Sequence, residues 1–258
     1  MIKKCISCVL KISDGITRQP VTASSVHLYV DGAPIRAEYK QGGYFILIDL
    51  EEGAHTVSVQ SYCYQTESFA ITVDYSVIQR PESMVRYIVL NPSEKHPRAS
   101  AMPSLRGVAA GFDRIYLQRR GGEMKIAEDD ADKGKTAIRL FSPKSGVSLP
   151  SVYLINDKSA SKCEFVMIKG ADGDMYMLEA PLKYSHPRSA DVVPLTSVGC
   201  SADGAFYIML PSDLISGKSD EGTTITILAE KGDKLFRAEV AVKNKGATEL
   251  RALEFKKG

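Results

Sequence analysis

Apolar and polar residues alternate with period two through most of this chain, the mark of strands that bury one face. The clearest case runs from Gly42 to Gln60. A glycine pair opens Tyr44-Phe45-Ile46-Leu47-Ile48, an acidic turn ends at Gly53, and Thr56-Val57-Ser58-Val59-Gln60 alternates after it. The loop from Asp49 to Gly53, with glycine last, predicts a hairpin in which Gly53 takes a positive φ and strand 55–61 lies beside strand 43–49.

The same reading predicts strands over 3–12, 25–31, 33–39, 43–49, 55–61, 67–74 and 84–90. Asp31-Gly32 is a tight-turn pair, and Asn91-Pro92 stops the series. Short strands, turn signals at regular spacing and no helical period predict a β-sandwich over 1–92. Residues 93–135 are expected to form a proline-bearing linker and an irregular insert, with Phe112–Leu117 a candidate strand and 128–134 a solvated acidic loop. From 136 the pattern returns at 136–141, 151–155, 163–169, 174–179, 191–195, 205–210, 223–230 and 234–242, which predicts a second sandwich over 136–258. The stretch from Asp203 to Leu228 repeats the turn-strand-turn-strand order of the opening motif. The tripeptide His-Pro-Arg also occurs twice, at 96–98 and 186–188, and is read as coincidence. The expected fold class is all-β, with two immunoglobulin-like or transthyretin-like sandwiches.

Composition narrows the partners. Hydrophobic residues make up 44% and charged residues 25% of 258 positions, enough to bury cores. The net charge is +2, from 33 basic and 31 acidic residues without a basic patch, so nucleic acid is not an expected partner. The apolar stretch near the N-terminus is interrupted by Lys11 and Asp14, short of the roughly 7–15 residues of a secretory core, so cytoplasmic synthesis without a signal peptide is expected. No run reaches the ~20 apolar residues of a membrane helix, and membrane insertion is not expected.

Candidate chemistry is sparse. The five cysteines are odd in number and scattered, which predicts reduced thiols. Cys5 and Cys8, three apart on a strand, point to opposite faces and cannot share a zinc ion. His27 and His55 fall in strands, whereas His96 and His186 precede prolines in loops and are expected at the surface. No nucleophile elbow, dinucleotide fingerprint or phosphate loop is present; Lys133-Gly134-Lys135-Thr136 lacks the first glycine of the latter. No catalytic residue, metal or cofactor is therefore expected. Tyr62 and Tyr64, two apart, are expected to show both rings on one face, and with Tyr44 they are the candidate binding residues; a core role is the alternative.

Residues 5–75 resemble the transthyretin-like, carboxypeptidase-regulatory-like β-sandwich modules. The pattern is carried by Val9–Thr17 with its Asp14-Gly15, by Pro20-Val21, and by Gly43, Tyr44, Phe45, Asp49, Leu50, Gly53, Thr56 and Val57. A fainter match lies over 203–230. The resemblance implies a module that acts as a spacer, adaptor or docking unit. Hydroxyisourate hydrolase is similar in architecture, but its terminal Tyr-Arg-Gly-Ser is not found at Leu253–Gly258. The expected function is a non-catalytic structural or adaptor component of a multi-protein assembly, of the phage-tail-like or contractile injection kind, whose partners are the other proteins of the particle or further copies of itself. Such a particle is released from the cell after assembly. A glycan- or cell-surface-binding module and a hydrolase on this fold are the alternatives.

Overall fold

The computed structural model describes residues 5–76, 84–141, 149–212, 214–215, 222–231 and 234–257. Residues 3 and 4, where the first strand is predicted to begin, lie outside them, as does Asp213 of the turn after Leu210. Among the described residues there are strands and short 3-10 turns but no α-helix. The chain divides into two compact units, Met1–Ala99 and Ser100–Gly258.

In the first unit the strands are β1 (Ile6–Asp14), β2 (His27–Val30), β3 (Ala33–Ile35), β4 (Glu38–Lys40), β5 (Tyr44–Ile48), β6 (Gly53–Gln60), β7 (Glu67–Val73) and β8 (Val85–Leu90). They form two sheets of four, ordered β4-β5-β1-β8 and β3-β2-β6-β7. One core takes Leu10, Ile12, Phe45 and Leu47 from the first sheet and Leu28, Val57, Val59 and Ile71 from the second. Each such side chain gains roughly 1.5–3 kcal/mol by leaving water, so the alternation of β1, β5 and β6 settles which face turns inward.

The connection Asp49–Gly53 is not a hairpin. β5 pairs with β1 and β4, whereas β6 pairs with β2 and β7, so the loop carries the chain from one sheet to the facing one. Alternation reports that a strand buries one face, and a hairpin partner and a strand across the core satisfy it equally. Gly53 does take a positive φ of 134°, and Asp49 sits at 54° with its carboxylate accepting from the Cys5 amide at 2.8 Å. Gly43, at φ 79°, is the more constrained glycine: a Cβ there would lie 2.5 Å from the Ile12 carbonyl oxygen.

Residues 91–99 are not a free linker. The Ser93 amide donates to the Cys63 carbonyl and the Gln65 amide to the Asn91 carbonyl, both at 2.8 Å, which folds this stretch back along 62–65. The division between units therefore falls after Ala99 rather than at 92.

In the second unit, residues 104–131, expected as an irregular insert, supply β9 (Ser104–Val108), β10 (Arg114–Gln118), β11 (Met124–Ile126) and β12 (Asp130–Ala131). After them come β13 (Ala137–Phe141), β14 (Ser151–Asn156), β15 (Glu164–Asp172), β16 (Met175–Leu178), β17 (His186–Pro187) and β18 (Asp191–Gly199). The last are β19 (Ala205–Met209), β20 (Thr223–Lys231), β21 (Lys234–Val242), β22 (Ala247–Glu249) and β23 (Lys256–Lys257).

The order β11-β13-β16-β15-β14-β18 closes on itself, because β18 also pairs with β11. The result is a ring of antiparallel strands around Ile126, Ile138, Tyr153, Ile168, Leu178 and Val192. The second half of β18 leaves the ring to pair with β10, which continues into β20, β21 and β23. That extension shares a second core with the sheet β19-β9-β22: Ile115, Leu117, Ile225 and Ile227 meet Leu105, Phe206 and Ile208. A single second sandwich over 136–258 is thus corrected to a closed ring joined to a two-sheet layer through β18. Ring closure leaves no trace in the hydrophobic pattern, since open and closed sheets alternate alike.

Candidate functional site

The three tyrosines singled out from the sequence do not form one platform. Tyr44 lies on β5 with Lys11 opposite it on β1, and Tyr87 flanks the same lysine from β8. The Lys11 ammonium is 5.2 Å from the Tyr44 ring centre and 5.7 Å from that of Tyr87, a cation held between two aromatic faces. Tyr62 and Tyr64 lie beyond the end of β6, where period two no longer holds, and their environments differ. Tyr62 is 73% exposed, with the Lys95 ammonium 4.8 Å from its ring centre. Tyr64 packs on the core and its phenol donates to Asp14 Oδ2 at 2.8 Å; burial and that carboxylate push its pKa well up.

Asp14, buried at the end of β1, gathers donors from distant parts of the first unit. Its Oδ1 accepts from the amides of Ile16 and Thr17 at 2.8 and 2.6 Å, and its Oδ2 faces His96 Nε2 at 3.4 Å. Burial works against the charged form, but the Thr17 amide, the Tyr64 hydroxyl and the Ile16 amide outweigh it and hold the pKa below the usual range. The Arg98 amide donates to His96 Nδ1 at 3.2 Å, which leaves Nε2 as the N–H that faces Asp14. His96 thus pins the 91–99 stretch onto the first unit.

The second His-Pro-Arg does the same in the second unit. His186 on β17 has a fully buried side chain, with Nδ1 3.1 Å from Asp157 Oδ2 and Nε2 2.8 Å from Glu164 Oε1. Glu164 also accepts from the amides of Lys183 and Tyr184, at 3.0 and 3.2 Å. For Asp157, burial raises the pKa, yet the Ser159 amide and His186 bring it below the usual value. Both pre-proline histidines are therefore interior, against the expectation of surface loops. A residue before proline is held extended, and here that projects the imidazole onto strand-end carboxylates 22 and 29 positions away, partners that no local pattern reveals.

His55 closes a smaller cluster: Nδ1 lies 2.7 Å from Asp31 Oδ2 and Nε2 2.8 Å from the Glu51 carbonyl oxygen. Those two acceptors, Asp31 first, raise its pKa. His27 is exposed on β2. All five cysteines are free thiols. Burial pushes Cys163 up and Cys200 up to about 11, the reverse of an activated nucleophile. Among the described residues, no group of three or more His, Cys, Asp or Glu side chains is placed to hold a metal ion.

Two grooves remain. In the first unit, a cavity of about 830 Å³ lies between β3 and β4, with Val26, Leu28 and Phe45 beneath and Arg36 and Lys40 on its rim. In the second, a cavity of about 950 Å³ runs between β21 and the stretch 250–256, lined by Val240, Leu250 and Leu253 and ending at Asp157 and Cys163. Sequence reasoning finds neither, because each is bounded by segments that meet only in the fold. The polar clusters hold loops to strand ends.

Neither a protein-family model nor a curated protein matches the chain. Among solved structures it is similar to the Bacillus anthracis TIE protein, at 10% identity and a TM-score of 0.24, over 97% of this chain and 51% of that one. The chain spans about half the length of that protein, and a likeness this low decides neither fold nor function.

Proposed function

We propose that the protein is a non-catalytic structural or adaptor component of a multi-protein assembly, with a transthyretin-like or immunoglobulin-like sandwich as its first unit, and that it belongs to a phage-tail-like or contractile injection particle. The observation that carries the reading is His186, which offers one ring nitrogen to each of two buried carboxylates. An imidazole buried between two carboxylates, with its side chain closed to solvent, holds the β17 segment in place and is out of a substrate's reach. His96 and His55 are committed in the same way, to Asp14 and the Arg98 amide, and to Asp31 and Glu51. The facing four-stranded sheets of the first unit are the architecture such a module requires.

The test is native affinity capture of the tagged chain from the cells that make it, followed by mass spectrometry. A fixed set of proteins in constant proportion is expected, unchanged by His27→Ala. Capture of the chain alone, under conditions that preserve known complexes, contradicts the reading. Glycan binding is the second reading, favoured by the Tyr44 and Tyr87 rings that flank Lys11. It requires a glycan-array signal that Tyr44→Ala removes.

A further inference from the structure

We propose that the groove beside β21 accepts an extended segment of a partner protein, added as a strand to the open edge of the sheet. The inference rests on the adaptor reading and names the kind of segment this site takes. β21 runs nine residues and pairs with β20 along its whole length, Thr223↔Val242 through Lys231↔Lys234. On its other edge β23 meets it at Phe236 and Arg237 only. The chain just before β23 diverges from β21 instead of continuing beside it. The Leu250 and Leu253 amides donate to the Arg106 and Val108 carbonyls, at 2.9 Å each, so that stretch follows β9 in the other sheet. Among the described residues, the edge from Ala238 to Val242 therefore has no strand partner, and the space opened by the divergence is the cavity of about 950 Å³.

A row of backbone N–H and C=O groups beside an apolar trough is the recognition surface for an added strand: the edge supplies hydrogen bonds, and alternate side chains fill the trough. Leu250, Leu253 and Val240 line it and require apolar residues at every second position. Charge fixes the rest. At the end closed by β23, the cavity is lined by Lys158, Arg237 and Lys256. Asp157 at that end is already engaged by His186 and the Ser159 amide. Glu239 and Glu254 lie two positions from Arg237 and Lys256 and also line the cavity. The complementary segment is a short extended stretch that carries a carboxylate at the closed end and a cation one step behind it.

The experiment selects displayed random peptides of about eight residues on the intact protein. It then measures the affinity of synthetic versions of those enriched for the wild type and for exposed or groove-lining variants checked by thermal melting. Enriched peptides should alternate apolar residues and carry an acidic residue at one end. Proline at a peptide's centre, which removes a backbone donor, should weaken binding by about tenfold or more, as should Lys256→Glu or Leu253→Asp in the protein. Three results overturn the proposal. The first is binding that neither the central proline nor either substitution weakens. The second is that no peptide is enriched on the intact protein over the Leu253→Asp protein. The third is a concentration-dependent dimer that Leu253→Asp abolishes, which would assign the groove to a second copy of this chain. Failure here leaves the assembly reading standing, since native capture does not depend on the groove; peptide binding without captured partners would sink that reading instead.

Discussion

His186, Asp157 and Glu164 show most plainly what single residues do in this protein. Replacing the imidazole with a methyl group leaves two buried carboxylates without the ring that lies between them. His186→Ala is expected to cost about 1–3 kcal/mol, the range for leaving a buried polar group without its partner, read from the urea midpoint. His55 gives a subtler readout. Its pKa is raised in the folded state, so its contribution to stability is complete below the ordinary histidine value and fades as pH rises through the raised one. A fall in denaturation midpoint between about pH 6 and 8, flattened by Asp31→Asn, is the expected result; the same slope in both proteins would mean another group is responsible. Asp14 and Asp157 act with the opposite sign, since their pKa values are lowered: their stabilisation holds above the usual carboxylate value and is lost as pH falls through the lowered ones. The sequence displays these histidines and acids but not their pairing, because each partner arrives through the fold from another segment.

At the scale of elements, strand positions were legible where alternation ran long. β1, β5, β6, β20 and β21 fall within a few residues of their predicted spans, since each must hide a row of aliphatic side chains. Partnership was not legible, which is why the Asp49–Gly53 connection looks like a hairpin and proves to be a crossing between sheets. The segments at β11 and β12 were missed because two or three residues are too few to establish a period, and β9 because Ser104-Leu105-Arg106-Gly107-Val108 buries two adjacent residues and does not alternate. The glycines sort the same way. Gly53→Val is expected to cost roughly 1–2 kcal/mol from its positive φ alone, because no atom lies within 4 Å of the added Cβ. Gly43→Ala should destabilise more, since its Cβ would meet the Ile12 carbonyl at 2.5 Å and push β5 away from β1. Urea unfolding of the two variants ranks them, and Gly53→Val as the worse would show that this account of β5 is wrong.

For the molecule as a whole, the chain divides into two compact units, and the boundary lies after Ala99 because Ser93, Lys95 and His96 tie the proline-bearing stretch to the first unit. Limited proteolysis is therefore expected to cut within 100–103 and release a fragment 1–99 whose circular dichroism remains that of a β protein; an unfolded fragment would mean that its core is not self-sufficient. All-β character was visible in the sequence, whereas the closed ring and both grooves were not. This chain is proposed to work as a part of something larger. Density-gradient sedimentation of a gentle lysate from the producing cells tests it most directly: the account predicts the chain in a fast-sedimenting peak of constant composition, and a chain found wholly at the position of its 28.2 kDa monomer would contradict it.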